Sequence, residues 1–323
     1  MTIEQQRFID SPRRLTFSDW WDIVRRVSSR FGKDRLTLIA AGVAFYSFLA
    51  LVPLIVALTS LYGMAAETRD ILQHLEFLRD LLPPLAFDLI EGQVLEIVET
   101  VSPASGTTSV FSLVLATWMA KAGVNAMMSG LNVAYREAED RGLVESLLIS
   151  WALTIVLIVL VVVALVAVAV APVIFQIFDW GWATETLGQI VRWLIAFSSI
   201  LLAIGLLYRL GAARRSPSVP WLSVGSIAAL IVWAVASVGL SIYISRLSDF
   251  QATYGALGAV VALMLWFWVN ALAVLFGAKL NAEMEYQTAC DTTVGHERPL
   301  GERGAFVADN VARVKDGSPT KAG

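Results

Sequence analysis

The sequence predicts an all-α, polytopic membrane protein with six transmembrane helices, an N-terminal amphipathic interfacial helix and an external helical hairpin. Composition is the first observation: 57% of residues are hydrophobic and 16% charged, with a mean hydropathy of +0.68, whereas an average soluble domain has about 25% charged residues. The second is charge spacing, which leaves Leu36–Ala66, Thr100–Ala120, Ser146–Phe178, Trp193–Tyr208, Ser216–Ser245 and Phe250–Ala278 uncharged. A bilayer core of about 30 Å takes roughly 20 helical residues. The third is the absence of alternation: LTIVLIVLVVVALVAVAVAPV (153–173) is apolar on all sides, which suits a helix and not a barrel strand.

The stretches place helices at about 38–62, 109–133, 147–171, 190–210, 221–244 and 254–278. The fourth is the shortest, and reaches full length if Arg192 and Arg209 extend to the two interfaces. Residues 1–35 form a cytoplasmic N-terminal segment. Within it FSDWWDIVRRVSSRFGKD (17–34) sets Trp20, Trp21, Val24, Val27 and Phe31 at helical spacing against Arg25, Arg26 and Lys33. That pattern fits a helix in the membrane interface or an ordinary packed amphipathic helix. The membrane domain is 36–285. Its segment 63–108 reads as an external hairpin broken at Pro83–Pro84, with Leu72, Leu75, Leu78 and Leu82 on one face. The tail 286–323, rich in Gly, Thr, Asp and Lys, is expected to be disordered. No internal repeat is evident, so an inverted-repeat transporter has no support.

Orientation follows from Lys and Arg. The first 35 residues hold seven arginines and Lys33 and no apolar run, so no cleavable signal peptide is expected. The segment 63–108 has Arg69 and Arg79 against a majority of acidic residues, 209–220 has Arg209, Arg214 and Arg215, and Lys279 follows the sixth helix. Both termini are therefore expected in the cytoplasm, with 63–108 outside.

Several chemistries find no residues to carry them. The histidines are His74 and His296 and the single cysteine is Cys290, so no His/Cys metal set is expected and an intrachain disulfide has no second half. No GxxxxGK[ST] or GxSxG sequence occurs. DLIEGQVLEIVE (88–99) clusters carboxylates as surface helices commonly do. Basic residues are not interleaved with aromatics as on a nucleic-acid surface. No catalytic residue, metal, cofactor or nucleic-acid partner is expected.

The anomaly is ATWMAKAGVNAMMSGLNVAYREAEDRG (116–142). Thr117, Lys121, Asn125, Ser129, Asn132 and Arg136 recur every three or four positions, within an arc of roughly 120°. Lys121 lies about 18 Å along the axis from Ser109, beyond easy reach of either interface. An intramembrane lysine costs a few kcal/mol and tends to face protein or a wet cavity. The stripe is either a substrate-binding polar cavity or interhelical glue, and the sequence leaves both open. Arg136–Asp140 and Glu137–Arg141 are i,i+4 pairs expected to carry the helix onward. Further candidates are Tyr135, Glu139 and Arg141 beside it. In the first helix they are Tyr46 and Pro53, where the proline frees the Leu49 carbonyl and is expected to kink or loosen the helix. In the sixth they are Tyr254, Gly255, Asn270, Gly277, Asn281 and Glu283. Packing is the expected role of the glycines.

Three pieces resemble the YihY/BrkB family of bacterial inner-membrane proteins: AAGVAFYSFLALVPLI (40–55), GLNVAYREAEDRG (130–142) and TYGALGAVVALMLWFWVNALAVLFGAKLNAE (253–283). The resemblance covers about residues 20–285. The chain departs from the family pattern after W-x-A, where it has Lys121 and Ala122, so the resemblance assigns Lys121 no role. It implies a six-helix membrane protein, an older ribonuclease label that the residues above do not support, and handling of an amphiphilic envelope lipid. Two functions follow as expectations. One is a transporter or flippase for an anionic lipid or envelope precursor, with membrane lipids as partners. The other is a non-transporting scaffold that meets envelope-assembly proteins through 63–108. The oligomeric state is open.

Overall fold

A computed structural model describes residues 11–62, 84–100, 106–177, 182–246 and 256–312. They form helices α1 (Phe17–Lys33), α2 (Leu36–Tyr62), α3 (Pro84–Thr100), α4 (Gly106–Tyr135), α5 (Leu143–Ile177), α6 (Trp182–Leu206, continued by a π turn Leu207–Gly211), α7 (Val219–Arg246), α8 (Ala256–Glu285) and a short α9 (Phe306–Asp309). No strand occurs among the described residues, only an isolated bridge between Pro217 and Thr293. Six of the helices, α2 and α4 to α8, are long and apolar enough to cross a membrane. α2 runs unbroken through Pro53. The 63–83 arm of the expected hairpin, with Leu72, Leu75, Leu78 and Leu82, lies outside the described residues. Tyr254 and Gly255 do as well.

The six spans close a circuit. α2 packs on α4, α4 on α5, α5 on α6, α6 on α7, α7 on α8, and α8 on both α2 and α4. In lipid, apolar burial gives little drive for helices to associate, so close packing and polar contacts must hold them. Gly225 of α7 and Gly277 of α8 show this directly. A Cβ on either would overlap the other's carbonyl oxygen, so the two backbones touch where they cross. Asn281 adds a polar pin: its Oδ1 accepts from the Gly225 N–H at 2.8 Å and its Nδ2 donates to the Leu222 carbonyl at 3.3 Å. The Tyr208 hydroxyl donates to the Val274 carbonyl at 2.6 Å, joining α6 to α8. Large apolar side chains such as Ile231, Val235 and Val238 point outward along α7, as a lipid-facing surface requires.

At one end of the bundle α3 folds back on α2 and α8, burying Ile90 and Val94 against Ile55 and Leu263. Helix α1 lies at the opposite end. A capping box starts it: the Thr16 hydroxyl accepts from the Asp19 N–H and the Asp19 carboxylate accepts from the Thr16 N–H. Ile23 and Val27 then pack on Trp221, Leu280 and Met284. Phe31 meets Phe276, Arg26 meets Glu283 and Asp19 meets Gln287, so α1 runs antiparallel along the last turns of α8. Phe17, Trp21 and Val24 form a separate exposed stripe. The segment thus has both a packed face and an apolar outer face.

Two expectations are corrected. The i,i+4 pairs after Arg136 do not form, because α4 stops at Tyr135. Arg136 takes a left-handed backbone (φ 61°), and the N–H groups of Arg136 and Glu137 return to the carbonyls of Val133 and Asn132. This is the Schellman ending, usually built on glycine. The tail is not disordered throughout: 288–312 is folded, with Ala289, Val307 and Ala308 buried. Its polar composition conceals a hub, described below. Residues 313–323 lie outside the described residues.

Candidate functional site

The polar stripe of α4 divides. In its first part the Thr117 hydroxyl donates to the Leu113 carbonyl at 2.7 Å and the Ser129 hydroxyl to the Asn125 carbonyl at 3.0 Å. Both bonds stay on α4. Lys121 and Asn125 are half-buried and Ser129 is exposed. The Lys121 ammonium lies 5.9 Å from the ring centroid of Trp151 on α5, and Trp151 meets Trp118 edge-on. This is cation–π distance. Tyr46 is partly exposed beside Phe45, and its Cβ faces Gly123 of α4. Asn270 donates to its own helix at the Trp266 carbonyl.

The second part of the stripe enters a charged cluster. Asn132 is buried; its Oδ1 accepts from the Ala213 N–H at 2.7 Å and its Nδ2 donates to Glu139 at 2.6 Å. Arg136 stacks on Tyr286 at 4.5 Å and donates to Glu283 Oε1. The other carboxylate oxygen of Glu283 accepts from Arg26 Nε at 3.0 Å. Lys279, one turn back on α8, is fully buried; its ammonium lies 2.7 Å from Asp34, 3.7 Å from Glu283 and 3.1 Å from the Ala134 carbonyl. Beside this set Arg214 and Glu285, both with fully buried side chains, pair at 2.7 Å, and Arg214 covers the ring of Tyr135. Glu283 thereby draws together α1, α4 and α8, and Arg214 adds the connection between α6 and α7.

Buried charges are tolerated only when paired and hydrogen-bonded. Here Arg26, Arg136, Lys279 and Arg214 are each paired with Asp34, Glu283 or Glu285, and the buried Asp19 bonds to Thr16 and Gln287. This mutual pairing suits a fixed closure of the bundle end more than a vacant ligand site. Arg141 closes the neighbouring helix end instead, donating to the carbonyls of Leu210, Gly211 and Ala212, where a cation also complements the helix dipole. Burial pushes the Glu137 carboxyl above the ordinary range, and the Phe306 N–H bonded to it offsets this in part.

Of the sequence candidates, the structure brings Asn132, Tyr135, Arg136, Glu139, Asn281 and Glu283 to one end of the bundle, with Gly277 at the crossing just inside it. Thr117, Lys121, Asn125 and Ser129 stay apart from that cluster. Sequence reasoning missed Arg26, Asp34, Arg214 and Glu285, and did not rank Lys279. The i,i+4 spacing of Lys279 and Glu283 was a signal. Among the described residues no group of three His, Cys, Asp or Glu side chains is arranged to hold a metal ion.

Residues 27–300 match the family profile of the virulence factor BrkB. The chain belongs to the BrkB family. Similar curated proteins are YfkH of Bacillus subtilis, which bears a ribonuclease-like name, at 27% identity over 75% of this chain and 88% of YfkH. A UPF0761 membrane protein of Rhodospirillum centenum is 28% identical over 88% of this chain and 63% of that protein. A UPF0761 membrane protein of Alteromonas mediterranea is 27% identical over 79% of this chain and 85% of its own length. No solved structure matches the chain. Six long apolar helices and these relatives make the BrkB-family chain an integral membrane protein.

Proposed function

We propose that this BrkB-family protein moves an anionic lipid or related envelope precursor along the polar face of α4. Lys121 draws the headgroup to mid-span, and Asn125 and Ser129 mark the track toward Arg136. The observation that carries this reading is the openness of that face: Thr117 and Ser129 bond to their own helix, Ser129 is exposed, and Lys121 and Asn125 are half-buried. Interhelical glue would have sent the Thr117 and Ser129 hydroxyls across to a neighbour, whereas of this face it is Lys121 that meets one, at the Trp151 ring of α5. An ammonium held near mid-span beside such a face favours a hydrated groove or an anionic ligand over bare hydrocarbon. The Glu283 cluster closes one end. The Lys/Arg distribution supports an inner-membrane location with that end cytoplasmic. With no ATP-binding sequence, movement is facilitated, ion-coupled or partner-driven. We read the chain as a carrier, not an enzyme.

Complementation of a deletion strain tests this. Lys121→Met and Asn125→Leu, inserted at wild-type levels, are expected to fail, and full complementation by both overturns the proposal. Single cysteines in a Cys290→Ser background give the physical counterpart. A membrane-impermeant thiol reagent should label positions 117, 121, 125 and 129 and spare the buried 132. Protection at all five positions would move the scaffold reading, through segment 63–108, to first place.

A further inference from the structure

The folded segment after α8 is built around a side chain of its own. Arg303 is buried, and its guanidinium donates to the carbonyls of Ala289 at 2.8 Å, Cys290 at 3.0 Å and Ala308 at 2.7 Å, with its Nε on the Arg298 carbonyl at 3.1 Å. The Asp309 carboxylate accepts from the N–H groups of Gly301, Arg303, Gly304 and Ala305. Charge-assisted bonds to backbone of this kind are the strong ones. They let a short polar segment hold a shape with few apolar side chains of its own.

Its ties to the rest of the chain are an apolar anchor, Val307, fully buried in the core cluster of the bundle, and a set of hydrogen bonds to two loops and to the end of α8. The Phe306 N–H donates to Glu137 at 2.8 Å, on the loop between α4 and α5. The Arg215 N–H donates to the Gly304 carbonyl at 2.9 Å, and the Ser218 N–H to Thr292 at 2.8 Å, both on the loop between α6 and α7. The Val294 N–H returns to the Ser216 carbonyl at 2.9 Å and the Ala312 N–H reaches Tyr286 at 2.7 Å. The Thr292 hydroxyl donates to Glu285 at 2.9 Å. The Phe306 ring lies 6.0 Å from the Arg136 guanidinium.

We propose that residues 288–312 act as a strap that holds the Glu283 end of the bundle shut. The strap joins the two loops flanking the Arg136–Glu283 and Arg214–Glu285 pairs to the end of α8. α4 and the α6–α7 loop therefore cannot part from α8 until those ties break. The Arg303 and Asp309 bonds hold the strap together internally, so it releases as a unit when Val307 leaves the core and the outer bonds break. The inference stands apart from the transport reading, because its readout is protection of loop amides and not movement of a substrate.

Hydrogen exchange on the full chain in nanodiscs tests it. In Arg303→Ala the amides of Arg215, Ser218 and Phe306 are expected to exchange about tenfold faster or more, with α2 and α8 still protected. Acceleration confined to 288–312, with Arg215 and Ser218 unchanged, overturns the strap. If Arg303→Ala also loosens α8, Glu137→Ala decides, since it cuts one tie and leaves the hub intact. Phe306 should then exchange about tenfold faster while the Arg303 amide keeps its protection; an unchanged Phe306 overturns the proposal.

Discussion

Arg136, in a left-handed conformation at the end of α4, donates its guanidinium to the Glu283 carboxylate on α8. A non-glycine residue at such a position carries backbone strain of about 1–3 kcal/mol, which persists where the surroundings over-determine it. Here they do: the guanidinium is stacked on Tyr286, and the carboxylate is shared with Arg26.

Removing the carboxylate should be costly. Glu283→Gln leaves Arg26, Arg136 and Lys279 short of one buried counter-charge, and breaking a buried pair typically costs about 3–5 kcal/mol. Thermal unfolding in detergent is expected to show the loss. A double-mutant cycle with Arg136→Gln should give a coupling of at least about 1 kcal/mol. Additive effects would mean that the pair is unimportant.

The two left-handed arginines should respond oppositely to glycine. Arg35 (φ 53°) sits at the α1–α2 turn with an exposed side chain. Arg35→Gly is expected to be neutral or stabilising by about 1 kcal/mol, because glycine adopts that conformation without steric cost. Arg136→Gly relieves the same strain but strips Glu283 of a partner, and should destabilise. The same melting assay compares the two.

At the α7–α8 crossing, Gly277→Ala and Gly225→Ala each drive a methyl group into backbone. The expected result is little monodisperse protein, with any folded fraction destabilised by about 3 kcal/mol or more. Gly239→Ala, on α7 where a Cβ meets nothing within 4 Å, should behave as wild type or gain about 0.5–1 kcal/mol. Size-exclusion profiles after extraction separate these outcomes.

Asp291 gives the strap a pH dependence. Partial burial would raise its carboxyl, but hydrogen bonds from the Thr293 N–H and hydroxyl and the Arg298 N–H outweigh that and hold it below the ordinary 3.8. A depressed carboxyl contributes stability that is complete above the unfolded value and is lost as pH falls through the folded one. Protection of the Thr293 and Arg298 amides, corrected for intrinsic exchange, should therefore hold from neutral pH to about 4 and fall below it. Asp291→Asn should abolish that dependence.

Much of the architecture was legible because lipid leaves few choices. A chain in hydrocarbon must satisfy its own amides, so charge-free runs such as Ser146–Phe178 become helices wherever they occur. Even so, α8 continues past the expected end at 278 to Glu285. The sequence reads Lys279, Glu283 and Glu285 as charges that should leave the membrane, whereas each is buried against a partner from elsewhere in the chain. The folded tail escaped notice for a related reason. Arg303 and Asp309 look like solvated surface until the carbonyls and N–H groups they bind are placed around them.

The sequence by itself determined the membrane class, the six spans, the α1 helix and the polar periodicity of α4, because each is a local pattern of spacing and hydropathy. Only the tertiary structure decided that Thr117 and Ser129 bond within α4 while Asn132 and Arg136 are tied into the charged cluster, and that Glu283 is the point on which three helices meet. Pairing of buried charges depends on which elements lie side by side, and long-range contacts such as Arg26 to Glu283 leave no periodic trace in the chain.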